Sequence, residues 1–228
     1  TGQVATGSNS SLIYGLELET TDGHWDDINT DQTRKNLWLK QMWEQGENRF
    51  NLTFMGYDNS WNSADQIPQR AVEMGLITEF GSIDTTTGGD THRYSLSGTW
   101  QRPLAGGEMT ASAYAIDYNM NLWGNFTYFV ELEGDQHHQV DDRMIYGWDV
   151  AWSQEHNWGS VPATDTFGSQ MRYDDIDEVG IFMSQARQDI GVFRTDAVEQ
   201  WSHGLYWDNE LRWTDQFRTT MGLRYDYY

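Results

Sequence analysis

The chain contains no cysteine, which excludes a disulfide framework, thiol catalysis and cysteine-ligated zinc. Cations are scarce: 14 Lys and Arg stand against 35 Asp and Glu, a formal charge of −21. A surface that neutralises nucleic-acid phosphates is therefore excluded. Proline occurs 3 times. Long apolar runs are missing too, so no segment reaches the roughly 18 residues that a transmembrane helix needs. Only 38% of the 228 residues are hydrophobic, and the mean hydropathy is −0.73. Against these absences stand 12 Trp, 12 Tyr, 9 Phe and 22 Gly. Aromatics and glycine without an aliphatic core fit neither a helical bundle nor a disordered acidic tail. A membrane location is open only to a β-barrel, whose alternating strands keep the average hydropathy low.

Alternation recurs from end to end. Leu12, Tyr14, Leu16 and Leu18 interleave with Ile13, Gly15, Glu17 and Glu19. Tyr94, Leu96, Gly98 and Trp100 form one face against Arg93, Ser95, Ser97 and Gln101. Trp201, His203, Leu205, Trp207, Asn209, Leu211 and Trp213 alternate with Ser202, Gly204, Tyr206, Asp208 and Glu210, and Phe217 to Asp226 repeats the pattern. Period two is the signature of strands with one apolar side. About nine strands are expected, at 11–19, 34–45, 49–60, 92–102, 107–118, 142–155, 165–174, 196–212 and 217–227. Several exceed the usual length of about 5–6 residues and suit the roughly 9–11 residues of a tilted membrane strand.

The connections sort into two kinds. Gln45 to Asn48, Pro103 to Gly106 and Trp213 to Gln216 read as tight turns, while long polar links are expected at 20–33, 61–91, 119–141 and 175–195, with a medium link near 156–164. Short and long alternate, as in an outer-membrane barrel with short periplasmic turns and long extracellular loops. Trp43, Trp100, Trp152 and Trp213 each lie near a short connection, where an aromatic girdle would sit.

On these strands and loops the sequence resembles the barrel portion of the TonB-dependent outer-membrane receptors. The likeness is carried by residues 14–19 (YGLELE), 65–72 (DQIPQRAV), 94–98 (YSLSG), 125–129 (NFTYF), 212–218 (RWTDQFR) and 222–227 (GLRYDY). The resemblance implies an all-β, antiparallel up-and-down transmembrane barrel segment. It also implies a bacterial outer-membrane location and no enzymatic activity. The implied task is energy-coupled uptake of a scarce nutrient such as a ferric siderophore. The implied partners are outer-membrane lipid and lipopolysaccharide, a small-molecule ligand such as an iron chelate, and the TonB complex through a plug inside a barrel of about 22 strands. No plug and no TonB-contacting segment is recognisable. The expectation is a partial barrel domain over 1–228, read as a middle section of a receptor. The polar row Glu17, Glu19, Arg93, Asp208, Glu210, Arg218 and Arg224 is then expected to face the lumen, and Leu12, Leu16, Leu96, Leu205, Leu211 and Leu223 to face lipid. A soluble secreted carbohydrate-binding module and a small complete barrel are the alternatives.

Candidate ligand contacts are the loop aromatics Trp61, Trp123, Phe126, Tyr128 and Phe129, which could stack on a flat ligand. Acidic side chains gather at Asp22, Asp26, Asp27 and Asp31, at Glu131, Glu133, Asp135, Asp141 and Asp142, and at Asp174, Asp175, Asp177 and Glu178. They read as solvated loop surface, because none has calcium-loop spacing. His137 and His138 point opposite ways on an extended chain, so no metal site and no cofactor is expected. No hydrolase, metalloprotease or phosphate-loop motif occurs, and no catalytic residue is expected. Asn51 and Asn125 open glycosylation sequons, which would carry no sugar in such a bacterial protein.

Overall fold

The computed structural model describes residues 1–128, 130 and 135–228. They form one open antiparallel sheet whose strand order follows the chain, β1 to β10. The strands are β1 (Gly2–Gly7), β2 (Ser10–Thr21), β3 (Gln32–Gln45), β4 (Asn48–Asn62), β5 (Gly88–Leu104), β6 (Gly107–Gly124), β7 (Gln136–Trp158), β8 (Val161–Gln185), β9 (Gln188–Arg212) and β10 (Arg218–Tyr227). One short helix, α1 (Gln69–Glu73), lies in the β4–β5 connection.

Each expected strand is present, and the structure adds β1 and lengthens β7, β8 and β9 to 23, 25 and 25 residues. The largest departure is at 175–195. Instead of a long link, β8 and β9 run on and turn at Ala186 and Arg187, both at positive φ, 48° and 62°. Neither residue advertises a turn, since Gly, Asn or Asp usually takes these left-handed positions. The 156–164 region is likewise a tight turn around Gly159, at φ 64°, and the 119–141 link shrinks to the segment between Gly124 and Gln136.

These changes keep the expected sidedness. The connections β1–β2, β3–β4, β5–β6, β7–β8 and β9–β10 are all tight and lie at one end of the sheet. The β2–β3, β4–β5 and β6–β7 loops and the β8–β9 tip lie at the other, because an up-and-down order reverses direction at every strand. At about 3.3 Å per residue, β8 runs for roughly 80 Å, well beyond the stretch that crosses a bilayer.

Register settles the faces, because residues paired across an antiparallel ladder point to the same side. Leu16 pairs Leu37, Phe54 pairs Leu96, Leu96 pairs Ala115, and Leu205 pairs Tyr225. This apolar face is open to the surroundings: Leu16 is 63% exposed and Leu223 68%. Leu211 lies on the same face but is buried, near the short-turn end. Glu17 pairs Asn36, Asn36 pairs Tyr57 and Tyr57 pairs Arg93 on the other, polar face.

Aromatic rings band the apolar face at two heights. Towards the short turns, Trp43 stacks on Phe50 with ring centroids 5.0 Å apart, Phe50 pairs Trp100, and Phe167 stacks between Trp152 and Trp207 at 6.3 and 6.5 Å. Towards the loops, Tyr146 stacks on Tyr173 at 6.4 Å, Tyr173 pairs Trp201, and Trp201 meets Tyr227 at 5.1 Å. Trp201 and Trp207 are separated by roughly 20 Å of strand at the usual rise. The largest fully buried side chains are Asn209, Thr87, Asp174 and Ser184, all polar. A water-soluble sandwich would bury the reverse set.

Candidate functional site at the loop end

The polar face is lined by arginines held in place by carboxylates two residues away on the same strand, which period two puts on the same side. Arg143 grips Asp141 through two bonds of 2.6 Å, and Arg172 grips Asp174 at 2.6 and 2.7 Å. Arg194 bonds Asp196 at 2.6 Å, and Arg224 bonds Asp226 at 2.9 Å. On β2 and β3, Arg34 bonds Glu19 and reaches Glu17 at 3.4 Å. The two-bond pairs at Arg143 and Arg172 fix their guanidinium planes, and each carboxylate offsets much of its arginine's charge. Between them Tyr114 lies over Gly147 and Tyr206 over Gly168, and a Cβ on either glycine would fall 2.4 or 2.0 Å from the ring. A shallow cavity of about 300 Å³ opens here, bordered by Tyr114, Asp149, Gln170, Arg172, Ser202 and Arg224.

At the loop end the connections interlock. Gln136, nearly fully buried at the start of β7, donates through Nε2 to Asp84 Oδ2 at 3.0 Å and Thr86 Oγ1 at 2.8 Å. Its Oε1 accepts from Ser184 Oγ at 3.0 Å and from the Arg187 backbone N–H at 2.8 Å. The Arg187 side chain then donates to the carbonyls of Thr86 and Thr87 at 2.7 and 2.9 Å and to Asn62 Oδ1 at 2.8 Å. It also lies over the Trp123 ring, 5.1 Å from the centroid. One side chain from the β8–β9 tip thus fastens the β4–β5 loop. A left-handed non-glycine residue costs on the order of 1 kcal/mol, and these bonds hold Arg187 there.

Asp65 and Asp84 organise the remaining loops. Asp65 Oδ2 accepts the Asn125 backbone N–H at 2.5 Å, and Asp84 Oδ2 accepts Asn125 Nδ2 at 2.9 Å. Burial pushes the Asp84 carboxyl up, but hydrogen bonds from Thr86, Asn125 and Gln136 outweigh it and hold the group below its ordinary value. Tyr128, buried at positive φ, donates its hydroxyl to the Gln66 carbonyl at 2.7 Å. Burial, with the Asp65 and Asp84 carboxylates nearby, pushes its phenol up to about 12. The β2–β3 loop joins through Asp26, which accepts from Thr78 Oγ1 at 2.6 Å, and Asp27, which accepts the Ser82 N–H at 3.1 Å. A cavity of about 340 Å³ lies beside Asp84, Thr86, Asn125, Tyr128 and Gln136.

The loop aromatics do not converge on one platform. Tyr128 is an internal strut, and Trp123 is covered by Arg187 and stacked on His138 with centroids 4.3 Å apart. Trp61 and Trp123, expected in loops, stand on the last residues of β4 and β6, because these strands run further than their alternation suggested, and Trp61 packs along the backbone at Gly89. Phe126 is 59% exposed and tilts against His137 at 5.2 Å. Phe129, like Glu131 and Glu133, lies outside the described residues. His137 and His138 do point apart, towards Phe126 and Trp123. Asp141 and Asp174 belong to strands and neutralise arginines rather than furnishing loop surface. Sequence reasoning missed Gln136, Asp84 and Arg187 altogether. Isolated polar residues in loops carry no periodic signal.

Comparison with known proteins agrees with this geometry. No curated protein matches the chain by sequence. Two solved structures share its fold at 13% identity: the outer membrane transporter YddB from Escherichia coli, with a TM-score of 0.63, and the ferric citrate transporter FecA in its unliganded form, with 0.69. Each alignment covers 99% of this chain but only 33% and 36% of those chains, so the sequence spans about a third of either. The sequence profile of the TonB-dependent receptor-like β-barrel matches residues 11–228. The chain belongs to the TonB-dependent receptor β-barrel family.

Proposed function

We propose that these residues form part of the wall and mouth of an outer-membrane receptor that takes up a scarce nutrient, with an iron chelate as the class of ligand. The carrying observation is sidedness. Five tight turns lie at one end, the built loops and the long β8–β9 hairpin tip at the other, and aromatic bands ring the apolar face between them. That is the arrangement of a barrel with periplasmic turns and extracellular loops. The apolar face meets lipid, and the polar face with its paired arginines lines the lumen. FecA carries ferric citrate, and the fold shared with it supports the ligand class. Phe126 in the β6–β7 loop and Trp61 at the end of β4 are the aromatics we propose for ligand contact, with Trp123, Tyr128 and Phe129 as supporting or additional positions. In this reading the gating plug and the contact with TonB come from other parts of the receptor.

Uptake of radiolabelled iron by cells carrying the complete reading frame tests the proposal, with ferric citrate and ferric hydroxamate and catecholate chelates as ligands. Accumulation that needs both this gene and a working TonB system is the expected result. Accumulation of no chelate above a deletion strain would overturn the ligand class. Recovery of the receptor from the soluble fraction would overturn the location.

A further inference from the structure

The polar atoms around the His138 ring are all acceptors. Nδ1 lies 3.1 and 3.2 Å from the two oxygens of Asp189, and Nε2 lies 3.1 Å from Asn121 Oδ1. The Asn121 amide cannot turn over to offer a donor instead. Its Nδ2 already donates to Asp90 Oδ1 at 3.0 Å and to Asn119 Oδ1 at 3.2 Å, and reversal would set oxygen against oxygen. A neutral imidazole has one N–H and can serve one of the two neighbours. The imidazolium has two and serves both.

We propose that protonation of His138 is a latch on the β8–β9 hairpin. With both ring N–H groups present, the ring bonds Asn121 on β6 and Asp189 at the base of the β8–β9 turn at once. Main-chain pairing already joins β6 to β7. The bond to Asp189 is different, since it spans from β7 across β8 to β9. When the proton leaves, one bond is lost, and the solvent-accessible carboxylate of Asp189, 40% exposed, is the partner that can turn to water. Asp189 follows Arg187 by two residues, so its release loosens the residue that fastens the β4–β5 loop.

Charged and aromatic groups reach the ring from each neighbouring strand. Asp189 comes from β9, and Asp90 acts from β5 through Asn121. Trp123 stacks from β6 and Phe182 tilts in from β8 at 5.8 Å. Arg187, over the same Trp123, opposes the imidazolium, whereas the carboxylates and the indole face attract it. His137, next along β7, points away towards Phe126. The latch therefore closes when the ring carries both protons and opens when one of them leaves. It stands on the hairpin geometry alone and does not depend on the nature of the ligand.

Amide hydrogen exchange on the full-length receptor in detergent, corrected for the intrinsic pH dependence and read over residues 184–196 from about pH 5 to pH 8, tests the latch. Protection in the wild type should fall at least ~3-fold as pH rises. In His138→Gln, whose amide does not titrate, it should not change with pH. A flat wild-type profile, or an equal slope in His138→Gln, would overturn the proposal. Asp189→Asn supplies the same comparison at a more exposed position should the first variant fail to fold. Its profile should be flat too, and a wild-type slope there would equally overturn the latch.

Discussion

Gln136 Oε1 accepts the backbone N–H of Arg187 across 51 positions of sequence, at 2.8 Å. This bond joins the start of β7 to a turn that no local sequence signal announces, and the same glutamine holds Asp84 and Thr86 with its amide nitrogen. Gln136→Leu should strip partners from Asp84, Ser184 and Arg187 together, at about 1–3 kcal/mol for each buried group left unsatisfied. Faster proteolysis within residues 63–87, with an unchanged midpoint for the strands, is the expected outcome. Unaltered cleavage would mean that the glutamine is dispensable.

Arg187 should tolerate lysine poorly. Its guanidinium serves Thr86, Thr87 and Asn62 at once and lies over Trp123, whereas an ammonium is a point donor without the planar fork. Arg187→Lys and Arg187→Ala are expected to raise exchange at Thr86 and Thr87 by similar, large factors. Arg187→Gly should relieve the left-handed backbone strain yet still lose the loop, which separates the two contributions.

Acid should loosen the β4–β5 loop through Asp84. Its folded-state carboxyl is held below the ordinary value of about 4, so its contribution is complete above that pH and is lost as pH falls through the folded value. The expected sign is greater protease sensitivity of residues 63–87 well below pH 4. Asp84→Asn should show the loosened state at every pH. This acid effect runs opposite in sign to the His138 latch.

Spin labels at Leu205 and Ser202 should report opposite surroundings. Leu205 stands open on the apolar face at 51% exposure, and Ser202 borders the polar-face cavity beside Arg172. In a bilayer, oxygen collisions should dominate at Leu205 and those with a polar nickel chelate at Ser202. Gly204 is a poor site for the second label, because Arg224 Nη2 lies 2.5 Å from where its Cβ would be. Equal accessibility at both positions would contradict a barrel wall.

Gly147→Leu should destabilise far more than a surface change. The Tyr114 ring occupies the space above Gly147, and any Cβ would sit 2.4 Å from it, so the ring must abandon its place on the polar face. Loss of at least ~2 kcal/mol in unfolding free energy is expected. Gly147→Leu combined with Tyr114→Ala should recover much of it.

Alternation in the sequence determined the class of fold, the identity of most strands and which side of each strand is apolar. A period of two survives in any sheet, so Leu12 to Glu19 and Trp201 to Trp213 were legible before any contact was known. Sequence also carried the family likeness that the profile over 11–228 bears out. It could not locate the β8–β9 turn, because Ala186 and Arg187 are held in left-handed backbone by contacts from Gln136, Thr86 and Asn62 rather than by their own preference. Nor could it gather the loop end, where partners lie as far as 125 positions apart. Pattern is a property of neighbours along the chain. Satisfaction of a buried polar group depends on neighbours in space, which only the folded sheet supplies.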